Sequence, residues 1–259
     1  MGKNVIFFFS GTGNCLSIAR NIAKGLGGAE LIRIKKDMKI PDITDAQRVG
    51  FVFPCYGGGA PEDVFDCAKA IRIKPGTYTF GVTSCSAYKG TGLAKLHKII
   101  PLKYWSVITH HCSCIWLFPH TMMMPRLTVG EAEARSEDLS SKIVEDILAD
   151  KVLSGRPSFN VFNAIENMGF SKMALKKAEA FAVSDKCVAC GQCANLCPRG
   201  NITIENGKAK IGTNCTQCLS CLQFCPESAI SIGAISDKRE HYHNPNVKPA
   251  DLMQDSITI

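Results

Sequence analysis

The sequence predicts an α/β fold, in which a doubly wound parallel sheet of five strands precedes a small α+β domain rich in cysteine. The first observation is that near-continuous apolar runs alternate with amphipathic segments, as expected for strands covered by helices on both faces. The second is that eight of the 14 cysteines fall within residues 187–225. The third is length, since 259 residues suit one large domain or two unequal ones.

The individual elements follow from the hydrophobic pattern in chain order. Five apolar runs are predicted to be strands: residues 4–9, 30–34, 48–54, 77–85 and 104–114. Five segments of helical periodicity are predicted to be helices: residues 15–26, 61–72, 93–100, 131–153 and 159–182. The connection at 35–47 has no clear helical pattern, and Asn206-Gly207 predicts the turn of a hairpin over 202–211. The tail 236–259, rich in Pro and Asn, is expected to pack back as irregular chain.

The composition is that of a soluble globular protein, with 46% hydrophobic and 20% charged residues. The N-terminal stretch MGKNVIFFFS holds one lysine and a run of five apolar residues, too few for a signal peptide or a membrane span. We therefore expect a cytoplasmic protein without a membrane partner. Because the cytoplasm keeps thiols reduced, the cysteines are not expected to form disulfides.

The pattern C-x2-C-x2-C-x3-C-P occurs twice, at residues 187–198 and 215–226. Two-residue gaps allow a tight loop to turn three thiolates toward one centre, and the proline turns the chain away without offering a competing N–H group. In this run, known from bacterial ferredoxins, the fourth cysteine ligates the other [4Fe–4S] cluster. One cluster is therefore assigned to Cys187, Cys190, Cys193 and Cys225, and the other to Cys215, Cys218, Cys221 and Cys197.

Zinc is the alternative metal for cysteines at this spacing. Zinc ribbons use two C-x2-C pairs, whereas here three cysteines at two-residue gaps precede a C-P pair, and the whole pattern is repeated in tandem. This spacing favours two iron–sulfur clusters over zinc.

A glycine-rich loop, SGTGN at residues 10–14, follows the first predicted strand and precedes the first helix. It has no lysine as a Walker A loop would, and Leu16 takes the place of the third glycine of a dinucleotide fingerprint. Ser10, Thr12 and Asn14 supply hydroxyl and amide donors beside the positive end of a helix. The loop is therefore predicted to bind a terminal monophosphate, and a glycine turn without a ligand is the alternative.

The segment SGTGN resembles the phosphate loop of flavodoxins, commonly T-x-T-G-N-T, with Cys15 at the position of the final threonine. Residues 1–180 as a whole resemble a flavodoxin-like domain, which implies the strand order 2-1-3-4-5 and FMN as cofactor. Residues 181–235 resemble a two-cluster ferredoxin domain, and the tail with HYHNPNVKPADL also resembles that of flavodoxin–ferredoxin fusion proteins of anaerobic microbes. That family implies low-potential electron transfer.

Two later loops, PCYGGGAP at 54–61 and TSCSAYKGTG at 83–92, resemble the loops that flank the flavin ring in flavodoxins. The resemblance implies that Tyr56 and Tyr88 stack on the ring and that the Gly57–Gly58 peptide faces the flavin N5 edge. The full set of residues implied to bind FMN is Ser10, Gly11, Thr12, Gly13, Asn14, Cys15, Pro54, Tyr56, Gly57, Gly58, Thr83, Ser84, Tyr88 and Gly90.

The formal net charge of +7 raises the question of a nucleic-acid partner. The basic residues are dispersed, apart from the short segment SKMALKK, and no nucleic-acid-binding motif accompanies them. Clusters with their thiolates and a phosphate ester are anionic. The basic excess is therefore interpreted as compensation for anionic cofactors, and nucleic acid is not expected as a partner.

The predicted function is electron transfer by an iron–sulfur flavoprotein, between FMN, two [4Fe–4S] clusters and an external redox partner protein. One alternative is an FMN-dependent reductase of a small molecule, supplied by its own ferredoxin domain. Another, of a different class, is a zinc-stabilised interaction module without redox chemistry. Serine at Cys190 or Cys218 is expected to remove one cluster and to leave the flavin bound.

A few further residues are interpreted in less specific ways. Cys112 and Cys114 are expected to be buried packing residues, and the Met-rich segment 121–125 to be either a lid over the flavin or part of the core. Lys89 is hypothesised to raise the flavin potential. The pair His241 and His243 is expected to lie in a surface tail.

Overall fold

The structure, a computed structural model, describes residues 3–86, 88–109, 127–233, 236 and 240–259, without the side chains of 171 and 173–178. The strand predicted at 104–114 is described as far as Thr109, and Cys112, Cys114 and the segment 121–125 lie outside the described residues. None of the helices within the described ranges is long and apolar enough to cross a lipid bilayer.

A parallel sheet forms the centre of the N-terminal part of the chain. Its strands are β1 (Lys3–Phe8), β2 (Glu30–Arg33), β3 (Ala46–Pro54), β4 (Tyr78–Cys85) and β5 (Tyr104–Thr109). These five strands are parallel and lie in the order β2-β1-β3-β4-β5, which confirms the predicted doubly wound fold. The strand order reverses between β1 and β3, so the carboxyl ends of these two strands border the crevice where such sheets bind ligands.

Helices cover both faces of the sheet. They are α1 (Asn14–Gly25), α2 (Glu62–Ala70), α3 (Gly92–Ile99) and α4 (Val129–Leu148), while α5 (Val161–Lys177) packs on loops at the carboxyl edge of the sheet. On one face α1 and α4 bury Leu16 and Ile147 in a shared hydrophobic core. On the other face α2 and α3 bury Val64 and Leu96 in a second core. The connection between β2 and β3 contains no helix, in agreement with the absence of a helical pattern in its sequence.

A smaller unit follows α5 and carries the eight clustered cysteines. In it β6 (Phe181–Val183) pairs antiparallel with β9 (Ile230–Ile232), and β7 (Ile202–Glu205) pairs antiparallel with β8 (Lys208–Ile211). Two short helices, α6 (Gln192–Leu196) and α7 (Ser220–Gln223), each contain the third cysteine of one copy of the motif. The turn between β7 and β8 has Asn206 at φ 50° and Gly207 at φ 75°, which confirms the predicted Asn-Gly hairpin.

The tail is not irregular chain throughout, and it changes the sheet. It contains α8 (Pro249–Met253) and β10 (Ser256–Thr258), which pairs antiparallel with β2 at the edge of the sheet. The sheet therefore has six strands rather than the predicted five. Pro249 starts the helix, the Asp251 carboxylate accepts from the Lys248 N–H at 2.8 Å, and β10 covers an otherwise open edge. A strand of three residues is too short to show the alternation that identified the others.

Candidate cofactor sites

The eight clustered cysteines form two groups, each around its own cavity. An inner quartet of Cys197, Cys215, Cys218 and Cys221 lines one small cavity. An outer quartet of Cys187, Cys190, Cys193 and Cys225 lines another. The structure thus places the fourth cysteine of each motif at the cavity of the other, in the crossed combination that the spacing predicts. Among the described residues, no three His, Cys, Asp or Glu side chains are grouped closely enough to hold a single metal ion.

The two copies of the motif share one backbone conformation. Ala189 and its counterpart Gln217 have positive φ angles of 55° and 53°. Gly191 and its counterpart Leu219 follow at 76° and 63°. A left-handed conformation costs a residue with a side chain on the order of 1 kcal/mol or more. The repeated strain therefore marks turns that are needed to direct the thiols into the cavities.

Backbone amides donate to the sulfur atoms at equivalent positions of the two copies. The Asn201 N–H donates to Cys197 Sγ at 3.3 Å, and the Ala229 N–H donates to Cys225 Sγ at 3.2 Å. Hydrogen bonds to the sulfurs favour the reduced, more negative state of a cluster and so raise its reduction potential.

The two quartets differ in exposure. In the inner quartet Cys218 and Cys221 are buried, and burial raises the pKa of Cys218 to about 12. Its thiolate therefore needs the compensating charge of a bound metal in order to form. In the outer quartet Cys190 is exposed, and the adjacent Val188 is 63% exposed. One site is thus enclosed by the protein and the other lies at its surface.

A buried arginine lies beside the inner quartet. Arg33, at the end of β2, is 4% exposed, and its Nη2 donates at 2.5 Å to the carbonyl of Leu196, the residue before Cys197. Burial lowers the pKa of this guanidinium, and the nearby Cys218 and Cys197 oppose that shift. The hydrophobic pattern did not identify Arg33 as a functional residue. The feature that could have done so is a positive charge within an apolar strand.

The glycine-rich loop, residues 10–14, joins β1 to α1 at the crevice. Gly13 has φ 95° and its N–H donates to Ser10 Oγ at 3.1 Å. Within the described chain no side chain caps α1 and its first turn carries no acidic residue, so its N–H groups and positive end are available to an anion. This donor set fits the phosphate monoester of FMN. Cys15 is instead buried in the hydrophobic core, where burial raises its pKa, and it packs as a neutral thiol.

Two segments from the distant C-terminal half close around this loop. From the inner quartet, the Ser220 hydroxyl donates to the Gly11 carbonyl at 2.8 Å. A Cβ on Gly11 would lie 2.1 Å from the Cys218 carbonyl oxygen, so this position needs glycine. From the tail, residues 242–247 form a segment that we term the C-terminal strap. Local sequence patterns cannot reveal these contacts, because they join residues far apart in the chain.

The loops predicted to flank the flavin ring meet at the carboxyl ends of β3 and β4. The Cys55 N–H donates to the Ser84 carbonyl at 2.8 Å, and Thr91 Oγ1 donates to the Gly58 carbonyl at 3.1 Å. Thr83 is fully buried, and its hydroxyl has no hydrogen-bond partner among the described residues. A buried hydroxyl of this kind is one that a ligand would satisfy. Four of the residues predicted to bind FMN lie at this edge of the sheet: Pro54, Thr83, Ser84 and Gly90.

Helix α5 packs against the remaining positions predicted for the ring. The Tyr88 hydroxyl donates to the Glu166 carboxylate, and the Tyr56 ring centroid lies 6.5 Å from that of Phe170. A Cβ on Gly57 would lie 2.3 Å from Phe170. Phe170 thus packs against Gly57, and the expectation that the Gly57–Gly58 peptide faces a flavin ring stays a prediction.

Two cysteines, Cys55 and Cys85, lie in the loops predicted to flank the ring. Burial raises the pKa of Cys55 to about 12 and that of Cys85 to about 11, so both remain neutral thiols. Lys89 is exposed, and its proposed influence on a flavin stays a prediction. In the tail, the exposed His243 ring stacks on Phe224 with 4.6 Å between centroids.

Comparison with known proteins gives one family match. Residues 182–203 match the family model of the 4Fe-4S binding domain. The match covers the first copy of the cysteine motif and confirms the prediction of at least one [4Fe–4S] cluster. No curated protein sequence matches the chain.

Similar solved structures cover the sheet-containing part of the chain. A flavodoxin from the domain Archaea is 13% identical over 56% of this chain and 99% of its own, with a TM-score of 0.37. Flavodoxin 1 from Bacillus cereus is 18% identical over 55% of this chain and 97% of its own, with a TM-score of 0.37. An FMN-dependent NADH-azoreductase from Bacillus anthracis is 9% identical over 57% of this chain and 99% of its own, with a TM-score of 0.39.

Proposed function

We propose that this protein is an electron-transfer iron–sulfur flavoprotein that passes electrons between FMN, two [4Fe–4S] clusters and an external redox partner. When bound, FMN exchanges one or two electrons and each cluster exchanges one. The observation that carries the proposal is the contact between the inner quartet and the phosphate loop, where Ser220 and Cys218 touch Gly11. The places proposed for the flavin phosphate and one cluster are therefore adjacent within a single chain.

The residues of the two quartets have different tasks in this proposal. The inner cysteines hold their cluster against the sheet, where Leu196 and Phe224 belong to the sheet's own hydrophobic core and exclude water. The outer cysteines hold theirs at the surface, beside the exposed Val188. The exposure of the outer quartet supports placing the docking surface of the redox partner there, because electron transfer requires close approach.

A second candidate, an FMN-dependent reductase of a small molecule, is favoured by one observation. Tyr88 and Glu166 are hydrogen-bonded beside the ring loops, and burial and Glu166 raise the pKa of Tyr88. Such a pair can hold a proton for delivery to a substrate. If this candidate is correct, Tyr88→Phe abolishes substrate turnover and leaves electron uptake by the protein unchanged.

An anaerobic reductive titration of the holoprotein tests the electron-transfer proposal. The wild-type chain is expected to take up about four electrons, two by the flavin and one by each cluster. The Cys190→Ser variant, which lacks one outer ligand, is the matched control and is expected to take up about three. No electron uptake by the wild type, together with zinc in place of iron, would support the zinc-stabilised interaction module instead.

A further inference from the structure

We propose that the C-terminal strap is part of the phosphate site, where Tyr242 and Asn244 hold the side-chain oxygen of Asn14 and so turn its NH₂ group toward the phosphate of FMN. The inference rests on the proposed FMN site and assigns two positioning residues to it from the end of the chain. Neither residue belongs to the loop that the sequence motif identifies.

Two donors converge on one oxygen atom of the loop. The Tyr242 hydroxyl donates to Asn14 Oδ1 at 2.8 Å, and Asn244 Nδ2 donates to the same oxygen at 3.2 Å. The oxygen and the NH₂ group of a side-chain amide are bonded to the same planar carbon and point in different directions. Holding the oxygen in place therefore also fixes the direction of the NH₂ group. Among the described residues, Asn14 Nδ2 donates to no protein group. Asn14 is the first residue of α1 and is half-buried, so this free donor lies at the positive end of the helix.

The amide of Asn244 is held in one orientation beside a buried carboxylate. Glu133 accepts from Asn244 Nδ2 at 2.8 Å and from Asn246 Nδ2 at 3.1 Å. The Asn246 N–H donates to Asn244 Oδ1 at 2.9 Å, and a backbone N–H can only donate, so the Asn244 NH₂ group faces Glu133 and Asn14. The orientation of Asn14 therefore follows from the fixed orientation of Asn244 beside Glu133.

The strap supports an anion at the loop and does not compete with one. Besides Asn14 Oδ1, it engages the Thr12 carbonyl, which accepts from the Asn244 N–H at 2.8 Å. Ser220, beside the inner quartet, likewise donates to an oxygen, the Gly11 carbonyl. These contacts occupy three acceptor oxygens of the loop and none of its N–H donors, of which the Gly13 N–H donates to Ser10 within the loop. A segment that blocked the site would be expected to occupy the donors.

Two buried amides lie on the cysteine-containing segment that packs against the loop. Gln223 Oε1 accepts from the Tyr242 N–H at 2.6 Å, while its Nε2 is buried without a partner among the described residues. Gln217, next to Cys218, is 4% exposed, and both atoms of its amide lack a partner in the same part of the structure. Native proteins rarely leave buried amides unpaired, so each is expected to bond to a water or a bound group.

The test compares the affinities of the full-length protein for FMN and for riboflavin, which lacks the phosphate, by quenching of flavin fluorescence. Tyr242→Phe removes one donor to Asn14 and keeps the ring. We expect it to weaken FMN binding by about threefold to tenfold, the range for one hydrogen bond, and to leave riboflavin binding unchanged. The matched control is Tyr78→Phe, which removes a hydroxyl that donates to the Lys151 carbonyl at 2.6 Å at the start of β4, far from the loop, and its FMN-to-riboflavin affinity ratio should equal that of the wild type.

A double substitution tests whether Tyr242 acts through Asn14. In an Asn14→Ala background, Tyr242→Phe should weaken FMN binding no further, because residues that act through one another are not additive. An equal loss of FMN and riboflavin affinity in Tyr242→Phe would show a merely structural strap and overturn the inference, as would unchanged or tighter FMN binding. If the wild type binds neither flavin, the proposed function fails together with the inference.

Discussion

Arg33 reaches from the sheet to the carbonyl before Cys197, and water screens its charge little because the side chain is almost fully buried. A positive charge beside a cluster stabilises the reduced form, which is the more negative one. The outer quartet lies at the surface, where solvent weakens such effects. The two clusters are therefore expected to differ in reduction potential, with the inner one higher.

The Arg33→Gln substitution tests this assignment. It should lower the potential of the inner cluster by on the order of 50 mV, given that a tenfold change in a one-electron equilibrium corresponds to about 59 mV. The measurement is a redox titration of the holoprotein followed by electron paramagnetic resonance, in a Cys190→Ser background that retains the inner cluster. Lys35→Gln is the control, because Lys35 pairs with Asp255 at 2.5 Å at the surface. An inner-cluster potential equal to that of the parent would contradict the role of Arg33.

The sequence identifies those functional residues whose role follows from their spacing in a short motif. The eight cysteines were predicted from two short motifs, and the structure groups them in the predicted combination. Arg33 and Asn244 were not predicted, because their importance arises from contacts with residues that are distant in the chain. The ring contact of Gly57 was inferred by resemblance, and the packing of Phe170 against it could not be read from either loop.

The hairpin and the tail show that local sequence predicts an element only when the element depends on nearby residues. The Asn-Gly pair fixes a turn through its own backbone preference, so β7 and β8 were predictable from ten residues. β10 exists because the edge of β2 is available to it, which is a property of the assembled sheet. The strap precedes β10, so the packing of α8 and β10 also holds the strap against the phosphate loop.

The Leu252→Ala substitution tests the contribution of the tail to stability. Leu252 in α8 is fully buried in the core that contains Leu16 and Val247. Truncation of a buried leucine costs about 2–5 kcal/mol, so the free energy of unfolding should fall by that amount. Chemical denaturation by urea measures it, with the exposed Gln254→Ala as control and an expected change within about 0.5 kcal/mol. A loss below about 1 kcal/mol would show that the tail is only loosely attached.

Across the whole molecule, contacts join all three segments that the sequence separates at 1–180, 181–235 and 236–259. Ser220 contacts Gly11, Arg33 contacts Leu196, and Asn244 contacts Thr12. These boundaries stay a prediction about folding units. From the sequence, serine at Cys190 or at Cys218 was expected to leave the flavin bound. The contacts change this expectation for Cys218, because its segment touches the phosphate loop, whereas Cys190 lies at the surface.

The variants Cys190→Ser and Cys218→Ser are expected to behave differently. Each should lose one cluster, seen as about half of the iron content. Cys190→Ser should retain the wild-type affinity for FMN. Cys218→Ser should also weaken FMN binding, because the Cys218 carbonyl and the Ser220 hydroxyl both touch Gly11. Iron analysis and flavin titration on the same samples measure both effects, and identical FMN affinities in the two variants would contradict the proposed coupling.

A chain that holds a flavin and two clusters has a fixed cofactor content, and a single sample is enough to measure it. Iron, acid-labile sulfide, zinc and released flavin should be quantified in one anaerobically purified sample, together with its ultraviolet–visible spectrum. We expect about eight irons, about eight sulfides and about one FMN per chain. Iron and sulfide without FMN binding would contradict the assignment of the glycine-rich loop, and zinc in place of iron would contradict the function as a whole.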